Sequence, residues 1–245
     1  MISFFFNVKF CDIYKNNTQL KKIIFLFFIT FFTNCSKSND LMTVNLSVEG
    51  FKKGNVYLQK IQDSVLINID SIFIENSKPI ILDYKINSPE IFYINLDIKS
   101  KEKRIEFFGE KGSISINTNL KKFNSNYKIT GSKSDSIFRI YQNVIKKFNY
   151  QRLDLIKLSI EKSQKDQLDS LKIIEEQINS LNKRQYLYTL NFAVSNGKSH
   201  VAPFIALNEF SEDSKILLDT IRKSLSNEVL NSKYGNMLVK KISSN

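Results

Sequence analysis

Cysteine and histidine, the side chains readiest for covalent and acid–base chemistry near neutral pH, are scarce in this chain, and the placing of its reactive groups separates one strong candidate from several weak ones. There are two cysteines and one histidine in 245 residues. Cys35 ends the run Lys21-Lys22-Ile23-Ile24-Phe25-Leu26-Phe27-Phe28-Ile29-Thr30-Phe31-Phe32-Thr33-Asn34-Cys35, and the polar stretch Ser36-Lys37-Ser38-Asn39-Asp40 follows it. Two lysines, an apolar core and a cysteine are the three parts of a lipoprotein export signal. The expected chemistry is lipidation of Cys35 after removal of everything before it. The apolar core from Ile23 to Phe32 falls within the ~7–15 residues of a signal core and short of the ~20 needed to cross a bilayer as a helix. A transmembrane anchor therefore fits less well, and the lysine-first, polar-after order argues against a buried helix with a chance cysteine. Such signals usually carry a small residue just before the cysteine and Leu three before it. Here those positions hold Asn34 and Phe32.

The remaining candidates are weak. His200, in Ser199-His200-Val201 near a helix start, would need an oriented partner and a nucleophile within hydrogen-bond reach to act as a general base. The sequence offers neither, so it is expected to cap a helix or lie at the surface. Glu175-Glu176 and Glu209, Glu212, Asp213 fit solvated faces or first-turn acids that match a helix dipole. Asp70-Ser71 is expected in a turn. No GxGxxG, P-loop, GxSxG, HExxH or calcium-loop spacing occurs. The expectation is therefore no catalytic, cofactor-binding or metal residue and no cofactor, with Cys35 as the one modified position.

The cysteine count carries this further. Cys11 would leave with the signal and Cys35 would carry the lipid, so no disulfide, zinc set or CxxC pair is expected in the mature chain. Residues 1–19 add a second apolar patch, Phe4-Phe5-Phe6, ahead of the lysines. Leu20 directly precedes Lys21-Lys22, and since a leucine codon can serve as a bacterial start, translation is expected to begin there.

The formal charge is +12, with Trp 0, Pro 3 and Gly 7. Residues 1–34 hold Lys9, Lys15, Lys21, Lys22 and Asp12, which leaves +9 for the remainder. A basic balance can serve nucleic acid or an anionic membrane. The lysines here form scattered pairs, such as Lys52-Lys53, Lys121-Lys122, Lys146-Lys147 and Lys240-Lys241, without interleaved aromatics. Nucleic acid is not an expected partner.

Two periodicities divide the chain, and they predict an α+β protein. From Leu41 to about Ile129 apolar residues alternate, as in strands with one buried face. The rows are Val44, Leu46, Val48; Val56, Leu58 after a turn at Lys53-Gly54-Asn55; Val65 to Glu75; Ile80, Leu82, Tyr84, Ile86; and Phe92, Ile94, Leu96, Ile98. Ile105 and Phe107, Ile114 and Ile116, and Tyr127 to Thr130 complete them. Such spacing predicts an antiparallel sandwich or barrel over residues 41–133. From Gly131 the period becomes helical: Ile137, Ile140, Tyr141, Val144, Ile145 and Phe148 share a face. Ser134 is the expected N-cap, with Asp135 in the first turn. A more polar helical continuation runs from Gln151 to about Lys183 and on to a stop at Asn196-Gly197. Further helices are expected near Ser199, at Ser211 and from about Ser232, making 134–245 a helical region behind a leash at 35–40.

This order resembles the DUF4369 domain of Bacteroidota lipoproteins, a β-rich module usually followed by helices. The residues that carry the resemblance are Thr43 to Gly50 with Gly54-Asn55-Val56-Tyr57-Leu58-Gln59, the Asp70-Ser71 pair and Pro89. Ile105-Glu106-Phe107-Phe108 with Gly112-Ser113-Ile114-Ser115-Ile116, and the closing Ile129-Thr130-Gly131-Ser132, complete it. The resemblance implies a cell-envelope lipoprotein. Many relatives continue from a segment like Ser232-Lys233-Tyr234-Gly235 into a thioredoxin-like domain with a CxxC; no CxxC stands in the sequence up to Asn245, so their redox activity is not expected to carry over. Two readings follow. One is a non-enzymatic binding module held to the membrane through Cys35, with an envelope protein or peptide as partner, on the periplasmic face of the outer membrane. The alternative is a degenerate or split accessory module of a periplasmic thioredoxin-like thiol–disulfide oxidoreductase, lacking its own CxxC.

Overall fold

The computed structural model describes residues 40–75, 79–96 and 104–243. Eight strands come first: β1 Leu41–Glu49, β2 Lys53–Gln62, β3 Val65–Glu75, β4 Ile80–Lys85, β5 Glu90–Asn95, β6 Arg104–Gly109, β7 Gly112–Asn119 and β8 Tyr127–Thr130. They form two four-stranded sheets, in the orders β4-β1-β7-β8 and β3-β2-β5-β6. Every pairing is antiparallel except β1 with β7, which run parallel. The expectation of an antiparallel sandwich holds apart from that pair, whose long connection in sequence allows the crossover that parallel strands need.

Alternation decides which side chains meet. In the first sheet Val44 is level with Leu82 on one side and Ile114 on the other, and Leu46 with Ile80 and Ile116. In the second, Leu58 is level with Ile94, and Ile94 with Ile105. These rows share one buried core with Phe92, Phe107 and Phe123 between the sheets. The outer face of β5 and β6 is covered as well. Ile91 and Phe108 are buried in a second core, made with the helices, and Tyr93 packs against it. A central strand buried on both faces reads as a continuous apolar run, which is what Ile91-Phe92-Tyr93-Ile94 is.

The helices are α1 Lys133–Ser163, α2 Leu168–Ser195, α3 Val201–Glu209, α4 Lys215–Ser224, α5 Asn227–Leu230 and α6 Lys233–Ser243, with a 3-10 turn at Glu212–Ser214 before α4. At 31 residues, α1 is about 46 Å long. It pairs with α2 as a hairpin.

Four local expectations are corrected. The N-cap of α1 is Ser132, not Ser134: its hydroxyl accepts the N–H of Asp135 at 2.9 Å. Lys53-Gly54-Asn55 lie inside β2, and the bend comes earlier, at Gly50 (φ 82°). The helical continuation through 151–183 is broken at 164–167, where neither Gly nor Pro signals a stop. Asp166 takes the left-handed conformation there (φ 53°), which Asp adopts more readily than most residues. Asp70-Ser71 lies in β3 rather than in a turn, one residue past a bulge where the pairing slips between Leu58 and Gln59. The Asp70 carboxylate accepts the Ser71 N–H at 2.7 Å.

Candidate functional site

The strands pass into the helices at one latch. Ser132 donates through its hydroxyl to the Phe108 carbonyl at 2.8 Å, and Asp135 accepts the Phe108 N–H at 3.0 Å. Both backbone groups of Phe108 are thereby satisfied by side chains at the start of α1, which answers the cost of burying them. Glu110, just beyond β6, accepts from the N–H groups of Lys133 and Ser134 and from the Ser134 hydroxyl. A carboxylate at these unpaired N–H groups is the electrostatically favoured occupant of a helix start. Gly131 makes the bend possible. Its φ is 91°, and a Cβ there would stand 2.1 Å from the Ser113 carbonyl oxygen.

Arg139, one turn into α1, extends the latch. It donates to Asp135 at 3.1 and 3.2 Å, to the Tyr127 hydroxyl at 3.0 Å, to Gln142 at 2.7 Å and to the Glu106 backbone carbonyl. Its guanidinium also lies 5.3 Å from the Tyr127 ring centroid and 5.7 Å from that of Phe138. Glu106 in turn accepts from Gln142 at 3.2 Å and from the Tyr93 hydroxyl at 3.4 Å. Burial first, and the Glu106 carboxylate second, push the Tyr93 phenol up to about 12. Burial likewise raises Tyr127, with Arg139 pulling the other way.

Beside this cluster opens a cavity of about 980 Å³. Its walls are the β7–β8 connection (Asn124, Ser125, Asn126, Tyr127), the α1 face from Phe138 to Asn149, and Phe204, Ile205, Asn208 and Glu209 of α3. Arg139, Gln142, Asn143, Lys146 and Asn149 come from α1 at helical spacing, so one turn after another adds a polar side chain to the same wall. The floor is aromatic. Tyr141 is buried, shares a hydrogen bond with Thr189 at 3.2 Å, and has its phenol raised chiefly by burial, with Glu209 adding to it. The lining thus offers amides, hydroxyls, one guanidinium, one ammonium and one carboxylate above an apolar base. Amides both donate and accept, which suits a ligand of peptide groups.

A second, smaller cleft of about 350 Å³ contains His200, Glu110, Glu228 and Ser232. His200 occupies the N-cap position of α3 without a side-chain cap bond, and Ser199 instead accepts the Val201 N–H at 3.3 Å. Burial holds its imidazole below the ordinary value, against the opposing pull of Glu228 and Glu110. Of the other acids singled out in sequence, Glu175 and Glu176 are exposed on α2, and Glu212 and Asp213 sit in the 3-10 turn, while Glu209 reaches the large cavity. Among the described residues, no three His, Cys, Asp or Glu side chains are grouped to hold a metal ion. Cys11 and Cys35 lie outside the described residues.

Residues 42–138 match the family described as "Domain of unknown function (DUF4369)". No curated protein and no solved structure matches the chain. The matched stretch holds almost all of the sandwich and ends at Phe138, in the second turn of α1. Phe108, Glu110, Gly131, Ser132 and Asp135, the latch residues, all fall inside it. The α1 and α3 walls of the cavity fall almost wholly beyond it, so the latch lies in the matched domain and the cavity straddles its edge.

Sequence reasoning misses Arg139 altogether and meets Glu106 only as part of the motif Ile105-Glu106-Phe107-Phe108, with no site role. A faint signal existed: Arg139 interrupts the apolar run Ile137-Phe138-Arg139-Ile140-Tyr141, where a charge must find partners.

Proposed function

We propose that this chain is a membrane-anchored cell-envelope lipoprotein of Bacteroidota type, and that it acts as a non-enzymatic module binding an envelope protein through an extended peptide segment. The observation that carries the binding reading is the amide-rich cavity beside Arg139. It is open along α1, its polar groups repeat at helical spacing, and its volume of about 980 Å³ is at the upper end of the ~300–1,000 Å³ of ligand sites. The anchor reading rests on Lys21-Lys22, the apolar stretch to Phe32 and Cys35. Residues Ser36 to Asp40 would form a short leash to the periplasmic face of the outer membrane. A lipoprotein cysteine carries several acyl chains, enough to hold it firmly where one chain would bind only marginally.

Two measurements test this. Cys35→Ser should move the protein from the detergent phase to the aqueous phase on membrane extraction, and retention in the detergent phase would overturn the anchor. A photo-crosslinking residue at Asn143, in the cavity wall, should capture an envelope protein that the same residue at the exposed Ile216 of α4 does not. Equal capture from both positions would count against the cavity as the binding site.

A further inference from the structure

The hairpin of α1 and α2 continues past the helical core with too little to cover it. Its seam follows a heptad, with Tyr141, Ile145, Phe148, Arg152, Leu155 and Ser159 on α1 and Leu171, Ile174, Ile178, Leu181, Gln185 and Tyr188 on α2, all buried or half-buried. Near the base, Tyr141, Ile145 and Tyr188 join the helical core. Farther out, Leu155, Leu171, Ile174, Ile178 and Leu181 belong to neither core. A two-helix seam of this kind leaves much of each helix in water. Along one flank of it run Leu153, Ile156 and Ile160, exposed by 47 %, 41 % and 56 %, and Leu168 beyond the turn by 75 %. Single exposed apolar residues are ordinary; four along one strip, at spacings that keep them on one face, are not scattered. In the heptad they flank the seam on one side. The opposite flank carries a shallow cavity of about 540 Å³ lined by Leu155, Leu158 and Leu181 and by the polar groups of Gln151, Asp154, Gln177 and Arg184.

We propose that this strip pairs with the same strip on a second copy of the chain, the two hairpins lying antiparallel as a four-helix bundle. A two-fold axis near Ile156 sets Ile156 of one copy against Ile156 of the other, and Leu153 of each against Ile160 of the other, which makes the surface self-complementary. Charge selects the direction. The basal part, residues 146–156 and 177–187, carries Lys146, Lys147, Arg152, Lys183 and Arg184 against Asp154, a net of +4. The outer part, residues 157–176, has four lysines against five acids, a net of −1. Antiparallel hairpins set each basic base beside the other's acidic tip, and parallel hairpins set the two bases side by side. A flank ~25 Å long and two helices wide buries on the order of 1,200 Å² between two copies, the lower limit of stable interfaces. Pairing therefore depends on concentration.

The test uses the purified full chain in detergent with a short bismaleimide linker. Ile156→Cys should give a crosslinked band of twice the chain mass, at least ~5-fold stronger than Ile216→Cys on the distant α4, since pairing of the strips presents the two introduced thiols to each other across the two-fold axis. An equal yield from the two positions overturns the proposal. Should Ile156→Cys lose its helical circular dichroism, a mixture of Leu153→Cys and Ile160→Cys chains replaces it, with a mixed pair expected in excess of either self-pair. Sedimentation velocity supplies an independent readout. The unmodified chain should pass from monomer to dimer as concentration rises, and Ile156→Lys with Ile160→Lys should hold it monomeric at unchanged helicity. A chain that stays monomeric throughout, or a dimer that survives the lysines, also overturns it.

Discussion

The phenol of Tyr234 accepts a hydrogen bond from the backbone N–H of Ile91 at 3.0 Å, joining residues 143 positions apart. Tyr234 stands at the start of α6 and Ile91 in β5, so the last helix is tied to a central strand of the second sheet. The same ring packs at 5.1 Å from Phe204 and 6.1 Å from Phe108. Tyr234→Phe keeps the rings and removes the acceptor, leaving a buried N–H unpaired. The expected loss is about 1–3 kcal/mol, read as a fall in Tm of roughly 2–4 °C per kcal/mol for a chain of this size.

Next to it, Glu90 is a buried carboxylate held by two lysines. Lys60 donates to it at 3.1 Å and to Tyr84 at 2.8 Å, and Lys233, from the residue before Tyr234, donates to its other oxygen. For Lys60, burial opposes the charged form but is outweighed by the hydrogen bonds to Tyr84 and Glu90, so its ammonium is held above its ordinary range. Glu90→Gln leaves the Lys60 charge with a neutral partner in the interior. The expected cost is about 3–5 kcal/mol, measured by urea unfolding. Glu90→Gln with Lys60→Met should recover a clear part of it.

Arg139 joins the two parts of the molecule at the cavity edge. Its planar fork reaches Asp135, Tyr127, Gln142 and the Glu106 carbonyl together, which a lysine cannot do. Arg139→Lys should therefore cost about 1–3 kcal/mol despite keeping the charge. It should also free Tyr127 from the guanidinium, with the phenol's spectrophotometric titration moving upward as that favourable charge is displaced.

Much of the fold was legible because its signals are local. Alternation marked most of the strands, β5 being instead a continuous apolar run, and Asn196-Gly197 marked the end of α2, whose C-cap is Asn196. What escaped depends on distance in sequence. The parallel pairing of β1 with β7 brings Val44 level with Ile114, and no window of neighbouring residues contains that fact. The break at 164–167 was hidden because Lys165-Asp166-Gln167 carries no strong breaker, and the return of α2 onto α1 is set by burial of Leu171 and Ile174. The cavity failed to show for the same reason: Asn126, Asn143 and Asn208 are ordinary surface residues until the chain brings three elements together.

The single histidine gives the molecule one acid-sensitive group that can be watched alone. Burial lowers the His200 imidazole below its ordinary 6.5, with Glu228 and Glu110 opposing. Between its folded value and 6.5 the unfolded chain binds more protons than the folded one, so acid favours unfolding. This contribution to stability is complete above pH 6.5 and is lost as pH falls through the folded value. His200→Gln should flatten that part of the pH profile, measured as the urea midpoint from pH 8 to 5.5. Glu228→Gln acts in the opposite sense on the imidazole. By removing a carboxylate that favours the charged ring, it should lower the titration midpoint of the lone imidazole C–H resonance further, so that the loss of stability extends to more acid pH and grows in total. A midpoint that rises in Glu228→Gln would show that the carboxylate does not act on the ring.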